Sequence, residues 1–119
     1  MKKIILVEDD TGILDAVTLA FSSPQCRVVV YQDANKLLKG VFEVPELFII
    51  DKQLPGVDGL DLCKQLRKND RTCHIPIIVI SASPHIQKLV VKAGANEFVE
   101  KPFKLAYLRE IVTRYLGSF

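Results

Sequence analysis

Five short runs rich in Val and Ile recur along the chain, at 3–7, 27–31, 47–51, 76–81 and 97–99. Most lack the polar alternation of a strand with one wet face. Strands that are apolar on both faces lie inside a sheet covered by helices, which predicts parallel pairing. Between the runs the apolar spacing turns helical. Ile13, Leu14, Val17 and Phe21 share one face, as do Leu37, Leu38 and Val41, then Leu62, Cys63 and Leu66. Ile86, Leu89, Val90 and Ala93 form a fourth stripe, and Leu105, Leu108, Ile111, Val112 and Tyr115 a fifth. Ser22-Ser23-Pro24 is a stop for the first helix, and Gly40 and Gly94 are stops for the second and fourth.

A strand–helix unit repeated five times with short connections and right-handed crossovers requires an α/β doubly wound sheet. The expected architecture is a five-stranded parallel sheet in the flavodoxin-like order 2-1-3-4-5. Its switch point lies between the first and third strands, and ligands bind there at the carboxyl edge. The length of 119 residues suits a single domain spanning 1–119.

The first strand runs into Glu8-Asp9-Asp10, the third ends in Asp51, the fourth ends in Ser81, and Lys101 follows the fifth. Each has an ordinary reading alone. Asp9 and Asp10 suit the start of a helix, where acidic groups meet the helix dipole favourably. Asp51 suits a turn cap, Ser81 a satisfied hydroxyl, Lys101 a solvated cation. The strand order brings all of them to one edge, and that is harder to explain structurally. Two carboxylates about 4 Å apart repel by roughly 4 kcal/mol at an effective dielectric near 20. A cation relieves that repulsion, and an all-oxygen, carboxylate-rich set suits Mg²⁺. Carboxylate, Mg²⁺, hydroxyl and lysine are together what phosphoryl transfer to an aspartate requires. The carboxylate attacks phosphorus, and the metal and ammonium neutralise the transferring oxygens.

Net charge is +2 with no Lys/Arg run, which argues against direct nucleic-acid contact. The longest apolar stretches fall short of the ~20 residues of a membrane span. Met1-Lys2-Lys3 with four apolar residues begins like a signal peptide, but the acidic triplet interrupts it at once. Cys26, Cys63 and Cys73 are odd in number, lack C-x-x-C spacing, and with His74 and His85 make no zinc pattern. Reduced, part-buried thiols and a cytoplasmic location are expected.

The ordered set Val7-Glu8-Asp9-Asp10, Asp51-x-x-Leu54-Pro55-x-x-Asp58-Gly59, Ser81-Ala82, Gly94-Ala95 and Lys101-Pro102-Phe103 resembles the response-regulator receiver domains of two-component signalling. The resemblance covers essentially the whole chain. It implies that Asp51 is the phosphoacceptor for a histidine kinase or phosphotransfer protein. It implies a Mg²⁺ site of Glu8, Asp9, Asp51 and the Gln53 carbonyl, with Asp9 a direct ligand and Glu8 acting through water. Ser81 is then the switch hydroxyl, Phe98 the switch aromatic, and Lys101 the phosphate-binding lysine before a cis proline bond. The domain is then no enzyme beyond its own phosphorylation and dephosphorylation. Its output is a changed face of the fourth helix, fifth strand and fifth helix, read by an effector domain or partner, with homodimerisation through that face possible. Phe98 lacks a tyrosine's hydroxyl, so its inward and outward states differ by burial alone. The segment from Ser81 to Gly94 is slightly short for the family. Gln53 and Ser83 hold positions like those that tune acyl-phosphate lifetime, and Lys52 is expected over the site, adding positive charge. Two other readings are a phosphorylation-independent interaction module on this fold and a phosphatase with an aspartyl nucleophile. The phosphatase pattern Asp-x-Asp-x-Thr after a first strand is missing, since Lys52-Gln53 follows Asp51.

Overall fold

The computed structural model describes residues 1–118. Five strands form one sheet: β1 (Lys2–Val7), β2 (Cys26–Tyr31), β3 (Leu47–Asp51), β4 (Ile77–Ser81) and β5 (Glu97–Glu100). The order is β2-β1-β3-β4-β5 and every pairing is parallel. This is the doubly wound order expected from the sequence. Ile5 sits opposite Val29 on one side and Phe48 on the other, which sets the register of the central strands. The fourth strand starts one residue later than expected. Pro76 has no N–H to give a ladder, though its carbonyl accepts from Phe48.

Alternate residues of the buried strands feed two separate cores. Ile5, Val7, Phe48, Ile50, Ile77 and Val79 face the layer of α2 (Asn35–Leu38), α3 (Gly59–Lys68) and α4 (Gln87–Lys92). Ile4, Leu6, Leu47, Ile49, Ile78 and Ile80 face α1 (Thr11–Phe21) and α5 (Leu105–Leu116). With no wet face on any central strand, the apolar runs show no alternation.

The helical stripes divide unequally. Leu14, Val17 and Phe21 of α1, and Leu108, Ile111, Val112 and Leu116 of α5, are buried. In contrast, Leu38, Val41 and Leu89 are 45%, 59% and 51% exposed. The sequence places them in the core, but α2 is too short. Of the second stripe only Leu37 reaches the core, whereas in the fourth Ile86, Val90 and Ala93 are buried and Leu89 alone turns outward. Leu105, the first residue of α5, also overhangs into solvent, and Cys73 is exposed rather than part-buried. Gly94, at φ 92°, closes α4: its N–H donates to Val91, and the next N–H donates to Val90. That doubled bond needs a left-handed residue at this position.

Candidate functional site

The acidic triplet splits into three roles. Asp10 caps α1, its Oδ1 accepting from the Ile13 N–H at 3.1 Å. Asp9 remains exposed, while Glu8 turns inward and is fully buried. Its Oε2 accepts from the N–H groups of Asp9 and Asp10 at 3.0 and 3.3 Å. Its Oε1 has no hydrogen bond and is held only by the ion pair to the Lys101 ammonium at 2.8 Å.

Asp51 is 3% exposed, and its two oxygens have different partners. Oδ1 accepts from the Gln53 N–H at 2.9 Å, an Asx turn, while Oδ2 takes Lys101 Nζ at 2.6 Å. Lys101 thereby touches both Asp51 and Glu8. The Lys101–Pro102 bond is cis. One ligand oxygen from each of Glu8, Asp9 and Asp51 falls within 4.8 Å of the others.

This crowding shows in the protonation equilibria. Burial first, then the Asp51 carboxylate, pushes Glu8 up to about 7. Burial pulls the Lys101 ammonium down, but Asp51 and Glu8 more than offset it and leave it above its ordinary value. The donor set fits a divalent cation. It is all oxygen, it is carboxylate-rich, and it includes a buried oxygen without a hydrogen bond.

The backbone around Asp51 is tightly closed. The Gly59 N–H donates to the Lys52 carbonyl at 2.6 Å. A Cβ on Gly59 would stand 2.0 Å from the Asp51 carbonyl oxygen, so α3 begins against the main chain of Asp51. Asp58 caps α3 through Leu60 N–H at 2.8 Å, and its other oxygen holds Lys52 Nζ at 2.9 Å. The Lys52 ammonium thus turns to Asp58, where the sequence reading had it add charge over Asp51.

Glu8, Asp9, Asp51, Gln53 and Lys101 line one cleft of about 330 Å³. Ser81 is buried, accepts from the Ser83 N–H at 3.0 Å, and lines an adjoining polar hollow with Lys52, Gln53 and Ser83. Phe98 stands apart, half-buried on β5 beside Val79, and borders a surface hollow with Tyr107. The sequence reading overlooked the double role of Asp58. The signal was present in Asp58-Gly59-Leu60, an acidic cap ahead of a helical stripe.

A family model described as the response regulator receiver domain matches residues 4–113. The DNA-binding dual master transcriptional regulator RpaA of Synechocystis sp. is 32% identical over 96% of this chain and 50% of its own length. The DNA-binding response regulator MtrA of Mycolicibacterium smegmatis is 30% identical over 95% of this chain and 48% of its own. The chain thus spans about half the length of the curated relatives it matches. The response regulator DrrB of Thermotoga maritima superposes at a TM-score of 0.85 with 26% identity, over 98% of this chain and 52% of that one. The receiver domain of a sensor histidine kinase from Pseudomonas aeruginosa, which has a magnesium ion coordinated in its active-site cleft, superposes at 0.82. It is 26% identical over 98% of both chains.

Proposed function

The chain belongs to the response regulator receiver domains, and on that premise we propose that Asp51 is its phosphoacceptor. The observation that carries this reading is the setting of Asp51. It is a buried carboxylate held between the Lys101 ammonium at 2.6 Å and an acidic cluster with an unsatisfied oxygen.

In the proposed step the Asp51 carboxylate attacks the phosphorus of a phosphohistidine on a histidine kinase or phosphotransfer protein. An acyl phosphate forms, the N–P bond breaks, and the imidazole leaves with the N–P electron pair. Mg²⁺ held by Glu8, Asp9, Asp51 and the Gln53 carbonyl would supply charge neutralisation for the transferring oxygens. Lys101 already contacts the acceptor oxygen and can follow the phosphoryl group as a point charge. The group adds about −1.5 to −2 charges and three acceptor oxygens. The Ser81 hydroxyl, one strand away, is the donor available to them. Its movement frees room for half-buried Phe98 and changes the face of α4, β5 and α5.

An apolar groove of about 560 Å³ lies beside the cleft, lined by Ile13, Ala16, Val17, Phe103 and Leu105. Its place next to Lys101 suits the protein that brings the phosphohistidine. The reader of the switched face is an effector domain or separate protein, or a second copy of this chain. RpaA and MtrA are DNA-binding regulators by name; in this reading the receiver itself makes no nucleic-acid contact. Among the described residues no helix is long and apolar enough to cross a membrane, and the proposed setting is the cytoplasm. In this reading residues 1–119 act as one receiver domain. Its only chemistry is gaining and losing the phosphoryl group.

The test is intact-mass measurement after incubation with acetyl phosphate. The parent gains one phosphoryl mass with Mg²⁺ and none with a chelator, and Asp51→Asn gains none. Equal labelling of Asp51→Asn rejects the assignment.

A further inference from the structure

The loop from Gln53 to Asp58 aims the acceptor, since its first N–H holds Asp51 Oδ1. Leu54, buried in the core, and Val57, packed against it, seat the middle of the loop, so its polar ends depend on fewer contacts. Its ladder is two residue pairs, Gln53 with Asp58 and Leu54 with Val57, joined by the Pro55-Gly56 turn. A ladder that short does not stand alone. Two contacts close its root: the Gly59 N–H to the Lys52 carbonyl, and the ion pair of Lys52 Nζ with Asp58 Oδ2 at 2.9 Å. The Lys52 main chain is already fixed by its N–H bond to Ile80 and by Gly59. Its side chain therefore connects a rigid point beside the acceptor to the far end of the loop. Asp58 is anchored in turn by capping α3. The side chains of Lys52 and Asp58 are 25% and 41% exposed, and ion pairs so placed add little to stability.

We propose that Lys52 is a positioning residue: its bridge to Asp58 holds the Gln53–Asp58 loop so that the Gln53 N–H fixes the Asp51 carboxylate. This rests on the reading of Asp51 as acceptor and cation ligand, and adds a residue outside that ligand set. Groups that orient a metal-binding or reacting side chain commonly change affinity or activity 10- to 100-fold when removed. Orientation and bare charge predict opposite results here. Lys52→Met keeps the aliphatic stem and removes a positive charge near an acidic cleft, so charge alone makes Mg²⁺ bind more tightly. Lost orientation makes it bind more weakly.

The experiment is Mg²⁺ titration of the whole chain, followed by amide NMR shifts at Asp51 and Gln53. It uses the parent, Lys52→Met, Asp58→Asn and Lys52→Arg. Asn caps helices as well as Asp, so Asp58→Asn breaks the bridge and spares α3. The proposal expects Lys52→Met and Asp58→Asn each to raise the Mg²⁺ Kd about tenfold. It expects Lys52→Arg, which can keep the bridge, to stay within about twofold of the parent. Initial rates of labelling by acetyl phosphate should fall in the same order. A lower or unchanged Kd for Lys52→Met overturns the positioning role while leaving the acceptor reading intact. A parent with no Mg²⁺ response at Asp51 or Gln53 overturns both.

Discussion

At the amino edge of the sheet Arg67 reaches from α3 and donates to the carbonyls of Ile75 and Gly94 at 2.6 and 2.7 Å, and to Asn96 Oδ1 at 2.9 Å. At the carboxyl edge Lys101 faces two carboxylates, and Glu8 Oε1 lacks a hydrogen bond. Both edges bury part of a long cation, but they satisfy it differently. Arg67 meets neutral dipoles in a fixed fork, so the α3–β4 loop and the turn before β5 are joined without dependence on pH or metal. Lys101 meets an excess of negative charge, so its edge improves when a cation arrives. Stability is invested at one end of the sheet, and responsiveness at the other.

The most severe test of this contrast is Gly59→Ala. Its Cβ would meet the Asp51 carbonyl oxygen at 2.0 Å, so the responsive edge is tight in backbone even where its charges are unbalanced. Urea denaturation should show a loss of about 3–5 kcal/mol. A loss under about 1 kcal/mol means that α3 does not pin Asp51. Next in size is Arg67→Met, which leaves several part-buried carbonyls without their donor. It should cost about 2–4 kcal/mol and leave the Mg²⁺ Kd unchanged. A large shift in Kd would erase the division between the two edges.

Glu8→Gln should act with the opposite sign. Without metal at pH 8, the variant should be more stable than the parent by about 1–2 kcal/mol, because a buried charge and its repulsion with Asp51 are gone. Mg²⁺ binding should weaken at least tenfold, as read by calorimetry. The same carboxyl gives the edge a pH dependence. The folded-state pKa of Glu8 lies above its unfolded value, so its protonated form contributes stability below about 4.5, lost as pH rises through about 7. Metal-free stability should therefore fall by about 3 kcal/mol across that window, beyond what Glu8→Gln shows. Below pH 7 protons compete for the same oxygen, and the parent's Mg²⁺ affinity should drop by up to about tenfold per unit.

Much of the carboxyl edge was legible because strand order is a topological constraint. Once β1 and β3 are neighbours, Glu8 and Asp51 must meet, whatever the side-chain detail. The long amphipathic helices α1 and α5 were legible for the same kind of reason, since several turns repeat the signal. The short helices were not. Leu38 and Val41 fit a helical stripe, yet α2 ends at Leu38, before a second turn can press them onto the sheet, and Leu89 sits on the outer side of α4 while Ile86, Val90 and Ala93 face the core. The amino edge was also hidden. Nothing local marks Arg67 as a staple, because its acceptors lie up to 29 residues away and most are main-chain carbonyls. Lys52 was misplaced for a related reason: its neighbour in sequence is Asp51, but its ion partner is Asp58, across the loop.

The central claim is that the unbalanced edge exists to phosphorylate Asp51. Its most direct test is to treat the protein with acetyl phosphate and Mg²⁺, reduce any acyl phosphate with borohydride, and map the peptides by mass spectrometry. The account predicts homoserine at position 51, dependent on Mg²⁺, and unmodified Glu8, Asp9 and Asp58. Reduction product at another carboxylate, or none at position 51 while the protein still binds Mg²⁺, would contradict it.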